Sequence, residues 1–87
     1  MEIVKGSAAV SKAGRDKGRW FAVLSIEDGF ANIADGDLRK LEKPKRKKLK
    51  HLGASAHLFD PQDLASDKAL CAAIKTRFNG GTPSKEG

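Results

Sequence analysis

The sequence has few of the residues that form disulfides, aromatic clusters or membrane spans. Its single cysteine, Cys71, excludes an internal disulfide and a cysteine-based metal cluster. It has no tyrosine, one tryptophan and four phenylalanines. The longest apolar run, Trp20–Leu24, is too short to cross a bilayer, and no long apolar segment follows a basic start as in a signal peptide. We therefore expect a single cytoplasmic domain, acting as a monomer.

Positive charge is abundant and unevenly distributed. The chain of 87 residues has 17 Lys and Arg against 11 Asp and Glu, a net charge of +6. Residues 1–50 hold 13 of the basic and 7 of the acidic side chains, so they carry the whole excess. Residues 51–87 hold 4 of each and are neutral. This pattern predicts a basic surface, suited to an anionic partner, joined to a neutral C-terminal part.

The stretch Val10–Leu24 predicts two strands joined by a tight basic loop. Gly14 and Gly18 punctuate the loop and supply backbone freedom that residues with a Cβ lack. The second strand opens at Trp20, and its two faces are both largely apolar. Four cations are thereby held on a short turn, namely Lys12, Arg15, Lys17 and Arg19.

Two Asp-Gly pairs predict further turns of an antiparallel meander. Asp28-Gly29 is typical of a type I′ hairpin turn, with a strand at 30–34 after it. Asp35-Gly36 turns the chain again, into a strand that we expect at Leu38–Leu41. Pro44 should interrupt the ladder, and the chain should re-enter the sheet after the basic run, around Leu49 and Leu52. Gly53-Ala-Ser then ends the β portion.

The C-terminal part has the pattern of an amphipathic helix. Leu70, Ile74 and Phe78 recur at helical spacing, which predicts a helix over 61–78. Asp60-Pro61 supplies an N-cap and a first-position proline, while Ser66-Asp67 is a competing start. Gly80 is placed to end the helix. These features divide the chain into a barrel at 1–58, a helical appendix at 59–79 and a disordered tail at 80–87.

The sequence offers little that could perform catalysis. His51 and His57 lie beside apolar residues, without carboxylates or cysteines at the spacing of metal ligands. Cys71 falls on the apolar side of the helix and has no local activating group. The loop at 14–19 lacks the Gly-Lys-Ser/Thr ending of a nucleotide-triphosphate site. We therefore predict no enzyme, no metal site and no cofactor.

A second basic cluster lies at 39–50, where Glu42 is the one acidic residue. The cluster comprises Arg39, Lys40, Lys43, Lys45, Arg46, Lys47, Lys48 and Lys50. It is open to two interpretations, a solvated basic tract or a surface that binds a polyanion. Because so many like charges repel one another, a polyanion relieves the repulsion while releasing its own counterions. The repulsion among these cations in the free protein therefore favours nucleic acid as the partner.

Trp20, next to Arg19, also has two interpretations. An exposed indole can stack on an unpaired base, because every base offers a π-face. Membership of the barrel core is the commoner position for a tryptophan at the start of an apolar strand. Both interpretations stay open at the level of sequence, and the core position is favoured.

The residues at 10–24 resemble the KOW motif, a basic glycine-containing turn between two hydrophobic strands, with Gly18 as the motif glycine. The segment 34–52, with its Lys-Arg-Lys-Lys run before His51-Leu52, resembles the small bacterial KOW-domain RNA-binding proteins. That family is related to a KOW-bearing ribosomal protein of the archaeal and eukaryotic large subunit. The resemblance covers roughly residues 3–53.

The resemblance implies an SH3-like five-stranded antiparallel barrel whose loops contact ribosomal RNA. With the helix at its C-terminus, the expected fold is mainly β. The candidate RNA-binding residues are Lys12, Arg15, Lys17, Gly18, Arg19, Trp20, Arg39, Lys40, Lys43, Lys45, Arg46, Lys47, Lys48 and Lys50.

Two functions from different classes follow. The first is a non-catalytic RNA-binding protein that contacts ribosomal or other structured RNA through basic, phosphate-directed loops. The second is a protein-interaction module of the translation or transcription machinery, docking through its barrel and the apolar stripe of its helix. An enzyme ranks third, and net charge alone does not distinguish RNA from DNA.

Overall fold

The computed structural model describes residues 2–79. Its strands are β1 (Ser7–Ser11), β2 (Trp20–Glu27), β3 (Phe30–Ala34), β4 (Lys45–Lys48) and β5 (Leu52–Leu58). A 3-10 turn at Leu49–His51 joins β4 to β5. The helix α1 (Asp67–Ile74) follows and continues as a π-helical turn over Lys75–Asn79.

The five strands form one antiparallel sheet in the order β4-β3-β2-β1-β5. Asp28 and Gly29, at φ 51° and 79°, make the predicted turn between β2 and β3, since a type I′ turn needs positive φ at both positions. The expected mainly β fold of five antiparallel strands with a C-terminal helix is confirmed. The sheet is consistent with a small SH3-like barrel, although it is not closed by hydrogen bonds between its edge strands β4 and β5.

The two faces of the sheet bear side chains of different size. On the inner face, Phe21, Val23 and Ile33 form a buried cluster with neighbouring apolar residues. On the outer face the buried residues of the three central strands are alanines: Ala8 lies opposite Ala22, and Ala22 lies opposite Ala34.

The helix packs against this alanine row. Leu70 and Ile74 are buried there with Phe59. Because alanine side chains are short, the helix can approach the sheet closely and bury its two largest inward residues. The predicted amphipathic stripe is therefore a part of the core, and the helix is attached to the side of the sheet opposite the inner cluster.

The strand expected at Leu38–Leu41 is wrong, because residues 35–44 form an irregular loop between β3 and β4. The Asp35 carboxylate accepts hydrogen bonds from the backbone N–H groups of Asp37 and Arg39 at 2.9 and 2.8 Å. These N–H groups are therefore held by a side chain and are not available to a strand ladder.

The position of the basic run also differs from the prediction. Lys45–Lys48 is itself the edge strand β4, which begins directly after Pro44. The prediction that the chain re-enters the sheet only around Leu49 is therefore wrong. The expected end of the β portion at Gly53-Ala-Ser is wrong as well, since β5 continues to Leu58. Pro44 has no N–H group for a ladder hydrogen bond, and at the residue before β4 none is needed.

The helix begins at the second of the two predicted starts, not at residue 61. The Ser66 hydroxyl caps it by accepting a hydrogen bond from the Ala69 N–H at 3.1 Å. Residues 61–64 form a turn in which the Asp63 carboxylate accepts from the Asp60 N–H at 3.0 Å. The predicted stop at Gly80 and the predicted disordered tail at 80–87 lie outside the described residues.

Candidate nucleic-acid interface

The loop between β1 and β2 presents its cations on a tight backbone. Gly14 and Gly18 have φ of 85° and 89°, in the left-handed region. The Gly18 N–H donates to the Ser11 carbonyl at 2.8 Å, which closes the loop across the ends of the strands. Lys12, Arg15 and Lys17 are exposed, and among the described residues they form no ion pair.

Asp16, the one acid in this loop, connects it to β4. Its carboxylate lies 2.7 Å from Lys47 Nζ and 3.0 Å from Lys45 Nζ. Ser11 Oγ donates to the same carboxylate at 2.7 Å, and Lys47 Nζ also donates to the Ala13 carbonyl at 2.8 Å. The glycine-flanked loop and the basic run are therefore in direct contact, on the same side of the molecule. We call Asp16, Ser11, Lys45 and Lys47 the Asp16 cluster.

The charge state of Asp16 follows from these contacts. Burial raises the pKa of the carboxyl, but hydrogen bonds from Lys47, Ser11 and Lys45, together with the positive charge of Lys45, more than offset it. The pKa of Asp16 is consequently held well below its usual range. Asp16 is ionised at neutral pH and partly neutralises the two lysines, which reduces the charge they can offer to a polyanion.

Strand β4 separates its cations by the alternation of side chains. Lys45 and Lys47 pair with Ile33 and Ala31 of β3, whose side chains are buried, so both lysines point to the inner side. Lys47 is only 8% exposed. Arg46 and Lys48 are exposed on the other side, and the Arg46 guanidinium lies over the Phe30 ring at 4.2 Å from its centroid. Phe30 is thereby covered by a cation.

The second basic loop, at 35–44, is organised by a buried carboxylate of its own. Besides the two N–H groups of its loop, Asp35 accepts a hydrogen bond from Arg19 Nη2 at 2.9 Å. Burial raises the pKa of Asp35, but the N–H groups of Arg39 and Asp37 and the Arg19 guanidinium together lower it. We call Asp35, Arg19 and the bonded N–H groups the Asp35 cluster.

The helix also holds the loop at 35–44 in place. The Leu41 N–H donates to the Asp67 carboxylate at 2.7 Å. Gly36 has φ 76° and lies against the first turn of the helix, where an added Cβ would collide with the Asp67 carbonyl oxygen. A glycine is therefore required at this close approach. The helix contributes to the interface indirectly, by fixing the loop that carries Arg39, Lys40 and Lys43.

A cleft of about 320 Å³ opens between the two loops and β4. Its lining contains four cations, one carboxylate and two apolar side chains. These residues are Arg15, Asp16, Arg19, Phe21, Leu38, Arg39 and Lys45. Four candidates from the sequence, two from the loop at 12–19 and two from the cluster at 39–50, thus meet at one concave site.

The remaining candidates are placed around or away from this cleft. Those with exposed side chains are Lys12, Lys17, Lys40, Lys43, Arg46, Lys48 and Lys50. Lys12 lines a separate groove with Ile3 and Leu49. Lys47 differs most from the prediction, because its ammonium group is buried and bound to Asp16 and so is not free to contact phosphate.

Trp20 is half-buried and packs against the buried cluster on the outer face of the sheet. Its ring stacks on Phe78, with centroids 4.0 Å apart and an interplanar angle of 14°. One face of the indole is thus covered by the π-helical turn. Its stacking on an unpaired base, the other interpretation, would use the face not covered by Phe78.

The positions of His57 and Cys71 suit packing. The His57 ring meets Phe59 and Phe78 edge-on, at 4.9 and 5.7 Å between centroids. Cys71 is half-buried on α1. Within residues 2–79 we find no cluster of three or more His, Cys, Asp or Glu side chains arranged to hold a metal ion. In the same part of the chain, no helix has the length and apolar character needed to cross a membrane.

Sequence reasoning missed four residues of the site. Asp16 and Asp35 organise the two loops, and Leu38 and Phe21 form the apolar part of the cleft. The sequence did contain a signal for Asp16, because a single acid among four cations on a short loop is expected to form ion pairs with nearby cations. No comparable signal marked Leu38, because its exposure depends on the tertiary structure of its loop.

Comparison with protein-family models and with curated proteins found no match to this chain. The resemblance to KOW-domain proteins therefore stays a prediction from the sequence. Arguments about function depend on the side chains that the fold brings together.

Proposed function

We propose that this is a non-catalytic RNA-binding protein that contacts ribosomal or other structured RNA through its two basic loops. One observation carries the proposal. The loop at 12–19 and the basic cluster at 39–50 touch each other through Asp16, and one exposed cation from each, Arg15 and Arg39, lines the same cleft. The sequence resemblance to KOW-domain RNA-binding proteins supports the same function, and we propose that the protein acts as a monomer in the cytoplasm.

The chemistry of the surface suits a phosphate backbone. Arg15, Arg39 and Lys43 are exposed and form no ion pair among the described residues. Arginine presents a planar fork of N–H donors that fits phosphate oxygens. We expect about four to six phosphates to be neutralised, so the affinity should fall steeply as the salt concentration rises. Phosphate contacts fix position and affinity, whereas unpaired bases carry any sequence preference.

The protein-interaction alternative has less support from the geometry. It relied on the apolar stripe of the helix as a docking edge. Leu70 and Ile74 are buried against the sheet, and Phe78 is packed on Trp20. A partner would have to displace these contacts before it could use the stripe.

Charge reversal tests the proposal directly. The variant Arg39→Glu with Lys43→Glu changes two exposed cations that form no ion pair in residues 2–79. We expect its affinity for a ribosomal RNA hairpin, measured by fluorescence anisotropy at low salt, to fall by about 100-fold. Reversal of Lys45 and Lys47 would be a poorer test, because both belong to the Asp16 cluster and the fold would suffer.

The matched control is Lys5→Glu with Arg77→Glu, which makes the same change of net charge at two exposed residues that line neither the cleft nor the grooves beside the loop at 35–44. We expect this pair to lower the RNA affinity only a few-fold. Equal losses in both variants would show that net charge alone is sensed and would remove the proposed surface. Crosslinking in cells, followed by sequencing of the attached RNA, would then identify the natural partner.

A further inference from the structure

We propose that the cleft between the two loops holds a single unpaired nucleotide of the bound RNA, with its phosphate on the rim and its base inside. This inference rests on the proposed function and adds a preference for RNA in which one nucleotide is free to leave the helix. Four observations about the cleft lead to it.

The first observation is the size and shape of the cleft. Its volume of about 320 Å³ lies at the small end of the range for ligand sites. The backbone of a double helix is convex and can lie across the two loops, but its stacked bases cannot enter a cleft between them. A nucleotide turned out of the helix can enter, because it is joined to the rest of the RNA only through its backbone.

The second observation is the distribution of charge. The arginines Arg15 and Arg39 are exposed and belong to opposite loops, while Leu38 supplies the exposed apolar surface of the same lining and Phe21 lines it as a buried residue, 1% exposed. A rim of guanidinium groups suits phosphate, and guanidinium planes also stack on bases. A phosphate or sulfate ion would use the cations and leave the apolar surface without a partner.

The third observation is the exposure of Leu38. Its side chain is 69% exposed, although it lies among charged residues. An exposed leucine on a mobile loop would need no explanation. Here the residues on both sides of it, Asp37 and Arg39, donate their N–H groups to the buried Asp35 carboxylate.

The fourth observation is the anchoring of the loop from both ends. Asp35 is held by Arg19, and Leu41 is held by Asp67 of the helix. The backbone around Leu38 is therefore fixed in a conformation that presents an apolar side chain at the cleft. A base placed against Leu38 would cover this surface, which a duplex backbone on the rim would leave in water.

The test compares two RNA hairpins with the same stem, one fully paired and one with a single bulged nucleotide. We expect the protein to bind the bulged hairpin about tenfold more tightly at equal salt. The variant Leu38→Ala should lose most of this preference, with its affinity for the paired hairpin unchanged. Because Leu38 is exposed, its truncation should leave the thermal unfolding midpoint close to that of the wild-type protein.

Leu58→Ala is the matched control, since Leu58 is 57% exposed on β5 and does not line the cleft. It should keep the full preference for the bulge. Equal affinity of the wild-type protein for both hairpins, or an undiminished preference in Leu38→Ala, would overturn the nucleotide site while leaving the proposed function intact. Failure to bind either hairpin would overturn both. Tighter binding of polyglutamate than of either hairpin at equal charge and salt would also overturn both, because it would indicate an acidic protein as the partner.

Discussion

The Asp16 cluster and the Asp35 cluster both place a carboxylate of low exposure beneath a basic loop, 12% exposed for Asp16 and 4% for Asp35, but they differ in what they connect. Asp16 is bound by side chains, and its lysine partners are 29 and 31 residues away in the sequence. Asp35 is bound mainly by N–H groups of its own loop, and within residues 2–79 its one distant partner is Arg19. The first cluster ties distant parts of the sheet together, whereas the second shapes one loop.

The two clusters also differ in how much their cations are exposed to water, and this determines the cost of losing each carboxylate's charge. Lys47 is 8% exposed, so its ammonium group has little access to water if Asp16 loses its charge. Arg19 is 39% exposed and can be hydrated if Asp35 loses its charge. A buried ion left without its partner is far more costly than a half-exposed one. We therefore assign the Asp16 cluster mainly to stability and the Asp35 cluster mainly to the shape of the cleft.

The largest effect should come from Asp16→Asn. This change leaves Lys47 buried without a counter-charge and places it beside Lys45, so the free energy of unfolding in urea should fall by about 3 kcal/mol. Glu42→Gln is the control, because it removes one negative charge from an exposed residue with no ion pair in residues 2–79. Lys47→Met should recover part of the loss in the Asp16→Asn background. A loss no greater than that of the control would contradict the role of the cluster.

The next effect is a decline of stability in acid. The folded-state pKa values of Asp16 and Asp35 are both lowered, so each carboxylate contributes its full stability above the unfolded value of about 3.9. That stability is lost as protons bind at lower pH, at most about 1.4 kcal/mol per pH unit for one group. We expect the free energy of unfolding in urea, measured between about pH 5 and about pH 2 so as to bracket the unfolded pKa, to decline less steeply in Asp16→Asn than in the wild-type protein. Parallel curves would mean that Asp16 is not the titrating group.

A smaller loss of stability is expected for Asp35→Asn. The amide oxygen can still accept from the loop N–H groups, and Arg19 can be hydrated, so the free energy of unfolding should fall by about 1 kcal/mol. RNA affinity should nevertheless decrease, because the loop that carries Arg39 is held less firmly. Asp37→Asn, at an exposed position 3.8 Å from Arg19, is the control and should change neither quantity appreciably. If Asp35→Asn destabilises as much as Asp16→Asn, the contrast between the clusters fails.

Local chemistry explains which parts of the fold could be predicted from the sequence. The strands before and after Asp28-Gly29 follow from a turn whose residues determine its geometry, and the basic loop follows from Gly14 and Gly18. The helix start was ambiguous because residues 60–63 and 66–69 both offer a side-chain cap. Choosing between them needs the packing of the helix on the sheet.

The parts that could not be predicted depend on contacts between distant residues. A strand was predicted at Leu38–Leu41, but two of its N–H groups donate to carboxylates instead of to a neighbouring strand. The Arg39 N–H donates to Asp35 and the Leu41 N–H donates to Asp67. Lys47 belongs to a basic run, and nothing in that run indicates that it is buried against Asp16. Charge patterning therefore indicated a basic region, but it did not separate the exposed cations from those neutralised by Asp16 and Asp35.

The most direct test of a single RNA-binding surface shared by both loops is a titration of ¹⁵N-labelled protein with an RNA hairpin, followed by NMR chemical shifts. We expect the amide signals of residues 12–19 and 35–44 to move together, with one common dissociation constant, while those of the exposed side of the helix stay in place. Shifts confined to one loop, or concentrated on the helix, would contradict the account.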